Sequence, residues 1–92
     1  MSEKKILVLS RSLHLEAVRV AAGLTIAGHT VRLIFLGAPL PEDSINPEHF
    51  ELLELSDIEP ETINKKMGKE FKLIVSSELI HSLEHSDHVI NI

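Results

Sequence analysis

The sequence predicts an α/β domain with three layers, α/β/α, built on a mainly parallel sheet of four or five strands. Two patterns indicate this fold. Short runs of consecutive apolar residues recur along the chain, as is typical of strands buried on both faces of a parallel sheet. These runs alternate with amphipathic segments long enough for helices, as expected of repeated strand–helix–strand units. A chain of 92 residues has room for one core, so we expect residues 1–92 to form a single domain.

The clearest pattern lies near the N-terminus. Ile6–Leu9 is an apolar run that predicts a buried strand, and Thr30–Leu36 predicts a second strand that Gly37 ends. Between them, Leu13–Ala27 has the apolar spacing of a helix of about four turns, and Gly28 stands where a helix-ending glycine is favoured. Parallel strands joined through a helix cross over right-handedly, so this segment predicts a right-handed βαβ unit.

The middle of the chain is less regular. Residues 38–47 hold three of the 4 prolines and predict a loop. Pro47–Leu55 predicts a helix, because an asparagine, a proline and a glutamate occur there in the order favoured at helix starts. Residues 50–55 alternate in polarity, so an edge strand is the alternative there. Asp57–Met67 predicts another short helix, with Pro60 in its first turn.

The end of the chain predicts a strand, a helix and a strand again. Phe71–Val75 is apolar enough for a third buried strand. Ser76 or Ser77 is placed to cap a helix that runs to about His85. His88–Ile92 then predicts a last strand, which brings the possible total to five if residues 50–55 are also extended.

Composition excludes several classes of function. The chain has no cysteine, which excludes disulfides, thiolate nucleophiles, persulfide carriers and cysteine-ligated metal centres. The net charge is −5, residues 42–61 carry only acidic charges, and the lysines at 65–72 lack stacking aromatic residues, so nucleic-acid binding is not expected. No apolar run reaches the ~18 residues of a membrane span and no signal-peptide pattern opens the sequence. The expected location is therefore the cytoplasm, away from membranes.

The loop after the first strand is the main candidate site. Ser10, Arg11 and Ser12 lie where a strand gives way to a helix, and ligands of open α/β sheets bind at this end of the strands. Helix N–H groups attract anions there, and the Arg11 guanidinium can form two hydrogen bonds to a phosphate. The alternative interpretation is that Ser12 only caps the helix and that Arg11 is solvated. Because the loop has no glycine, neither a dinucleotide fingerprint nor a P-loop is present.

Further positions belong to the same predicted edge of the sheet. Gly37 and Ser76 follow the second and third predicted strands. His14, near the start of the first helix, is the best placed catalytic candidate, but the sequence shows no partner carboxylate for it and no nucleophile beyond Ser10 and Ser12. The candidate ligand-binding residues are Ser10, Arg11, Ser12, His14, Gly37 and Ser76.

The 6 histidines include one pair at helical spacing. His81 and His85 lie four residues apart on the last predicted helix, a spacing that can chelate zinc or nickel. No third protein ligand is evident on that face, and histidines near a helix C-terminus are also favoured as simple surface residues. The pair is a weak metal candidate, and we expect neither a metal nor another cofactor.

Both ends of the chain carry segments that together resemble one protein family. In the first half these are the opening strand, the end of the alanine-rich helix with the following Gly-His, and the second strand. In the second half they are a short helix that leads through an aspartate into a last strand. These segments, residues 5–9, 22–29, 31–37, 77–83 and 86–90, resemble the DsrE/TusD-like family of small sulfur-relay proteins.

The resemblance implies a doubly wound, flavodoxin-like subunit that assembles into homo- or hetero-oligomers. Sulfur-transferring members carry a cysteine between the second and last helices, and the corresponding residues 56–76 contain none here. The chain therefore resembles a cysteine-less member, which implies a non-catalytic binding or accessory subunit that transfers no sulfur. Its expected partners are further copies of itself or related subunits. The alternative is a small-molecule or phosphate-binding domain with an anionic ligand at the carboxyl end of the first strand.

Overall fold

The computed structural model describes residues 3–37, 47–65 and 71–92, without the side chains of residues 47, 49 and 50. Most of the loop predicted at 38–47 therefore lies outside the described residues. Within these ranges no helix combines the length and the apolar character needed to cross a membrane. The elements are β1 (Lys5–Ser10), α1 (His14–Ile26), β2 (Thr30–Phe35), α2 (Pro47–Leu55), β3 (Glu61–Thr62), β4 (Lys72–Leu73), α3 (Ser76–His85) and β5 (His88–Asn91).

The strands form one sheet in the order β4-β3-β2-β1-β5, and every neighbouring pair is parallel. This confirms the α/β fold with a mainly parallel sheet, to which the described residues contribute five strands. The order differs from the 2-1-3-4-5 order of flavodoxin-like proteins. After β1 the chain adds β2, β3 and β4 in one direction, and only β5 returns to the other side of β1. The reversal of strand order therefore falls between β1 and β5.

Two apolar clusters, one on each face of the sheet, explain why the central strands are apolar at consecutive positions. Alternate residues of β1 point to opposite faces, and both sets are buried. On one face the sheet packs against α1 and α2, and the buried cluster contains Ile6, Val8, Ala17, Val18, Ala21, Leu33, Phe35, Leu53, Ile58 and Phe71. On the other face, Leu79 of α3 packs against a smaller cluster of Leu7, Leu9, Ile34 and Ile74.

The N-terminal βαβ unit has the predicted order, with α1 between the parallel strands β1 and β2. Leu13, rather than Ser12, is the N-cap of α1, and no side chain caps this helix. At the other end, Gly28 has a φ of 96°, and the N–H of His29 donates to the carbonyl of Leu24 over 3.2 Å. This bond and the positive φ of Gly28 are those of a Schellman motif, so the predicted helix-ending role of Gly28 is confirmed.

The segment after α2 corrects the prediction of a helix at 57–67. Residues 50–55 are helical, which resolves the alternative left open there, and α2 ends in a second Schellman motif with Asp57 at φ 58°. The N–H of Ile58 donates to the carbonyl of Leu53 over 2.9 Å, and both side chains enter the core. Residues 58–60 are then irregular and Glu61–Thr62 forms β3, so residues 58–62 of the predicted helix are not helical. Burial of Ile58 competes with helix continuation and directs the chain back to the sheet.

The third predicted strand is shorter than expected, because β4 has only two residues and Val75 already serves as the extended N-cap of α3. Ser76 and Ser77 therefore lie inside the first turn of α3, and neither forms a capping hydrogen bond through its side chain. The last strand occupies 88–91, close to the prediction.

Asp87 attaches the start of β5 to β1. Its Oδ2 accepts a hydrogen bond from the N–H of Lys5 over 2.8 Å, and its own N–H donates to the carbonyl of Lys5 over 2.7 Å. The hydrogen bond from the Lys5 N–H holds the pKa of the Asp87 carboxyl below its usual value, with smaller help from the charges of Lys4, His88 and Lys5. The carboxylate form is therefore the one that the folded state prefers.

We expect Asp87→Asn to reduce the dependence of stability on acid pH. Because the pKa of Asp87 is lower in the folded state, its contribution is present above the unfolded-state pKa of about 3.9 and is lost as pH falls through the folded-state pKa. Urea unfolding at several pH values from 7 to 2.5 measures this difference. The difference in the free energy of unfolding between wild type and Asp87→Asn should become smaller as the pH falls. A difference that stays constant with pH would contradict the lowered pKa of Asp87.

Candidate functional site

The carboxyl end of β1 is bonded to both neighbouring segments. The N–H of Leu36 donates to the carbonyl of Ser10 over 2.6 Å, and the N–H of Arg11 donates to the carbonyl of Ile92 over 2.8 Å. Ile92 returns a bond from its own N–H to the carbonyl of Leu9 over 2.9 Å. This is the point where strand order reverses, which is the usual place for a ligand in an open α/β sheet.

Gly37 and Arg11 are brought into contact at this edge. Gly37 has a φ of 76°, a conformation that favours glycine, and a Cβ atom at this position would lie 2.7 Å from the carbonyl oxygen of Arg11. A side chain at residue 37 would displace the backbone of the Arg11 loop. The structure places both residues at one edge of the sheet, as the sequence predicts. It also explains why residue 37 is a glycine.

Asn64 and Thr62 lie at the same edge of the sheet as Arg11 and Gly37, and we call the surface formed by these four residues the rim. The sequence analysis did not single out Asn64 or Thr62. The Asn64 Nδ2 donates to the carbonyl of Gly37 over 2.8 Å, and the Asn64 N–H donates to the Thr62 Oγ1 over 3.0 Å. The Thr62 hydroxyl donates in turn to the carbonyl of Phe35 over 3.0 Å. The sequence analysis predicts a helix over residues 57–67 and therefore does not place these two side chains at the edge of the sheet. A Thr-x-Asn pair that follows a short extended segment is the signal that could have identified them.

Ser10 and His14 form a buried pair beneath this rim. The Ser10 Oγ lies 2.5 Å from the His14 Nδ1, and the exposed fractions of the two residues are 0% and 4%. The His14 and Phe35 rings also form a T-shaped pair, with ring centroids 5.0 Å apart at 80°. The pair joins the first turn of α1 to the end of β1. Both side chains are enclosed, so in this conformation a ligand on the rim does not reach them.

The other predicted residues lie at the surface. Arg11 and Ser12 are exposed in the loop after β1, Gly37 is exposed beside them, and Ser76 is exposed at the start of α3. No contact among the described residues joins Ser76 to Arg11. The carboxyl edge thus presents one guanidinium, nearby hydroxyl and amide groups, and a backbone held in place by the hydrogen bonds described above. Such an arrangement can bind a small anion but offers no accessible nucleophile with an adjacent base within the described ranges.

A second polar group lies on the α3 face of the sheet, around Arg32. Its Nε and Nη2 donate to the two carboxylate oxygens of Glu61 over 2.6 and 2.7 Å, and its Nη1 donates to the Ser82 Oγ. The hydrogen bond to Glu61 raises the pKa of Arg32, with further help from the charges of Glu61 and Glu78. Glu61 and Ser82 are buried. The group connects β2, β3 and α3, and its closed bidentate geometry indicates a structural role.

A cavity of about 180 Å³ opens beside this group. Its lining residues are Lys5, Ile6, Thr30, Arg32, His81, Ser82, His85 and Ser86. The sequence singled out His81 and His85 among these, and the structure stacks their rings with centroids 3.9 Å apart. No group of three or more histidine, aspartate or glutamate side chains suited to one metal ion occurs among residues 3–37, 47–65 and 71–92.

Comparison with known proteins adds no relative. No protein-family model, no curated protein and no solved structure matches this chain.

Proposed function

We propose that this chain is a non-catalytic binding or accessory subunit that works as a symmetric homo-oligomer in the cytoplasm. The proposal keeps the resemblance to a cysteine-less DsrE-like protein, and with it the expectation that no sulfur is transferred, because a chain without cysteine offers no thiol to carry sulfur. One observation carries it: an apolar surface on α3 and β5 that no described element covers. We call this surface, formed by Ile80, Leu83 and Val89, the α3–β5 patch.

The register of the sheet places these residues together. Val89 is the partner of Leu7, which belongs to the cluster under α3, so Val89 lies on the α3 face. On α3, Leu79 packs on that cluster and Ser82 turns toward Arg32 of β2. By helical geometry Ile80 and Leu83 lie on the opposite side of Leu79 from Ser82, which is the side of β5. The exposed fractions of Ile80, Leu83 and Val89 are 54%, 40% and 38%.

A second copy of the chain fits this surface better than an unrelated partner, because β5 is an edge strand. Among the strands of residues 3–37, 47–65 and 71–92 it pairs with β1 alone, so no described strand bonds the N–H and C=O groups on its other side. Two β5 strands related by a two-fold axis can pair antiparallel, since the same donors and acceptors then meet from both sides. That pairing would extend the sheet and bring the two α3–β5 patches toward each other. Of the helices in the described part of the chain, one lies on this face and two lie on the other, which leaves room for the second copy.

We expect Leu83→Glu to convert the oligomer to a monomer. A carboxylate at this position would have to be desolvated in the interface, while in the monomer it would stay in water. Sedimentation equilibrium across a range of low micromolar concentrations measures the change in mass. Leu55→Glu is the matched control, because Leu55 is also an exposed leucine, at 79%, but lies on α2. A wild-type protein that sediments as a single species near 10.3 kDa at every concentration would overturn the proposal.

A second candidate function is the binding of a small anion at the rim, and Arg11 is the residue that favours it. Its guanidinium is exposed at the reversal point of the sheet, and its backbone is fixed by the bond to Ile92 and by close contact with Gly37. An anion here would meet the loop N–H groups and two donors of the guanidinium. Phosphate or a phosphorylated metabolite is the ligand class that this chemistry would recognise.

If the rim binds phosphate, the melting temperature should rise with phosphate concentration and Arg11→Ala should remove the rise. A ligand at ten times its dissociation constant stabilises a protein by about 1.4 kcal/mol. Arg19→Ala is the control, since Arg19 is an exposed arginine on α1 whose partner is Glu16. Thermal unfolding in chloride and in phosphate at equal ionic strength separates a specific site from general salt effects. An equal response in both variants would remove Arg11 from the site.

A further inference from the structure

The last turns of α3 carry two imidazoles whose arrangement goes beyond a chance pair of surface histidines. The His85 Nδ1 lies 2.8 Å from the carbonyl oxygen of His81. A carbonyl oxygen only accepts hydrogen bonds, so this nitrogen carries the proton. In the neutral ring the lone pair is then on Nε2, which points away from the helix backbone. A ring N–H bonded to a backbone carbonyl is also the usual outer support of a metal-binding histidine.

The second ring is held close to the first. The His81 and His85 rings are stacked with an interplanar angle of 22° and centroids 3.9 Å apart. Both residues are exposed and line the cavity of about 180 Å³ beside Arg32. A metal ion binds the neutral imidazole through its unprotonated ring nitrogen.

We propose that His81 and His85 form a two-histidine site for a divalent transition-metal ion such as zinc or nickel, bound through the Nε2 atoms and completed by water. Zinc–nitrogen bonds are about 2.0–2.1 Å long, so one ion can bridge two nitrogens on rings this close. In the stacked state the two lone pairs run nearly parallel, and a turn of the His81 ring makes them converge. Within the described residues no hydrogen bond holds the His81 ring, whereas His85 is fixed by its bond to the backbone.

The surrounding charges permit a cation at this position. Of the two cationic side chains that line the cavity, Arg32 is bonded to both oxygens of Glu61 and lies 4.0 Å from Glu78. Lys5 is the other, and it is the one group there that opposes metal binding. Glu84 lies between the two histidines in sequence and adds an acidic group to the same helix. With two protein ligands the site should be weaker than a structural zinc centre, which has four.

The site is independent of the proposed assembly and of anion binding. Its residues lie on the side of α3 that faces β2, away from Leu83, and at the amino edge of the sheet with Lys5 and Thr30, away from Arg11. Bound metal would cross-link one turn of α3 and stabilise its C-terminal end. Failure of one proposal therefore leaves the others untouched.

Calorimetric titration of the untagged protein with zinc chloride, and separately with nickel chloride, tests the site. We expect one ion per chain, with the affinity weakened at least tenfold in both His81→Gln and His85→Gln. His88→Gln is the matched control, because His88 is equally exposed but is the register partner of Ile6 and so lies on the other face of the sheet. We expect its affinity to stay within twofold of wild type. Retained binding in either α3 variant, or an equal loss in His88→Gln, would overturn the proposal.

Nitrogen-15 NMR of the histidine rings gives a second readout that does not depend on affinity. In the metal-free protein His85 should appear as the tautomer protonated at Nδ1, and zinc should shift the Nε2 resonances of His81 and His85 together. Circular dichroism of the metal-free variants confirms that they fold. A His85 ring protonated at Nε2 in the free protein would also overturn the assignment.

Discussion

Replacing Arg32 by methionine is expected to destabilise the protein by about 2–3 kcal/mol, because the Glu61 carboxylate would be left buried without its partner. The exposed fractions of the Arg32 and Glu61 side chains are 35% and 9%, so the loss should fall below that of a fully buried pair. Ser82, which is 5% exposed, would lose the guanidinium donor as well. Urea unfolding at neutral pH measures the change in the free energy of unfolding.

The double variant Arg32→Met/Glu61→Met separates the cost of an orphaned charge from the value of the pair itself. With both charges gone, apolar packing replaces the ion pair, and we expect most of the lost stability to return. The Arg19–Glu16 pair on α1 is the surface control: its 3.4 Å contact joins side chains exposed by 69% and 53%, so Arg19→Met should change stability by less than about 0.5 kcal/mol. A double variant less stable than Arg32→Met would contradict this account.

The sequence predicted the elements that local patterns determine. β1, α1 and β2 follow from apolar runs and helical spacing within the first 35 residues, and Gly28 identified the end of α1 through its own backbone conformation. These features depend on neighbouring residues in the chain, which is the information that periodicity carries. The parallel sheet follows because strands apolar at consecutive positions need cover on both faces.

Features that depend on distant residues were not predictable in this way. β3 has two residues, Glu61 and Thr62, too few for any periodicity, and its position depends on Arg32 and Phe35, nearly thirty residues earlier. The contact of Asn64 with Gly37 depends on the same distant pairing. The prediction of a helix at 57–67 failed because it weighed local signals alone, while burial of Ile58 and hydrogen bonds from β2 decided the outcome.

The residues of the candidate site also include some that sequence patterns predict and others whose contacts depend on distant residues. Arg11 and Gly37 were assigned to one edge because parallel strands end together, and the structure places them in contact. The closed state of Ser10 and His14 could not be read from their spacing of four residues, since it depends on how Phe35 packs between the helix and the sheet. For His81 and His85, the helical spacing predicted that the rings lie close together. The structure adds that the Nδ1 of His85 is the ring nitrogen that bonds to the backbone.

Alanine at residue 37 is expected to destabilise the protein by about 2–5 kcal/mol. Two costs add there. A non-glycine residue in the left-handed region costs about 1–2 kcal/mol, and forcing an atom into a filled position costs about 1–3 kcal/mol more. The added Cβ would lie 2.7 Å from the carbonyl oxygen of Arg11. This oxygen belongs to the backbone, and the N–H of the same residue donates to the carbonyl of Ile92, so the contact cannot be relieved by the movement of a flexible side chain.

Two other glycines separate these costs. Gly28 has a φ of 96° but nothing within 4 Å of an added Cβ, so Gly28→Ala should show the conformational cost alone, about 1 kcal/mol. Gly23 lies exposed inside α1 with open space around it, so Gly23→Ala should stabilise the protein by about 0.5–1 kcal/mol through helix propensity. The expected order of stability is therefore Gly23→Ala, wild type, Gly28→Ala and Gly37→Ala.

Urea unfolding of the four proteins under one set of conditions measures this order directly. If Gly37→Ala lost no more than Gly28→Ala, the close approach of the loops after β1 and β2 would be wrong, and the rim that holds Arg11 would lose its support. If the larger loss is found, the phosphate response of Gly37→Ala becomes informative as well. A displaced Arg11 backbone should weaken that response even though the guanidinium is retained, because anion binding there depends on the position of the loop N–H groups as much as on charge.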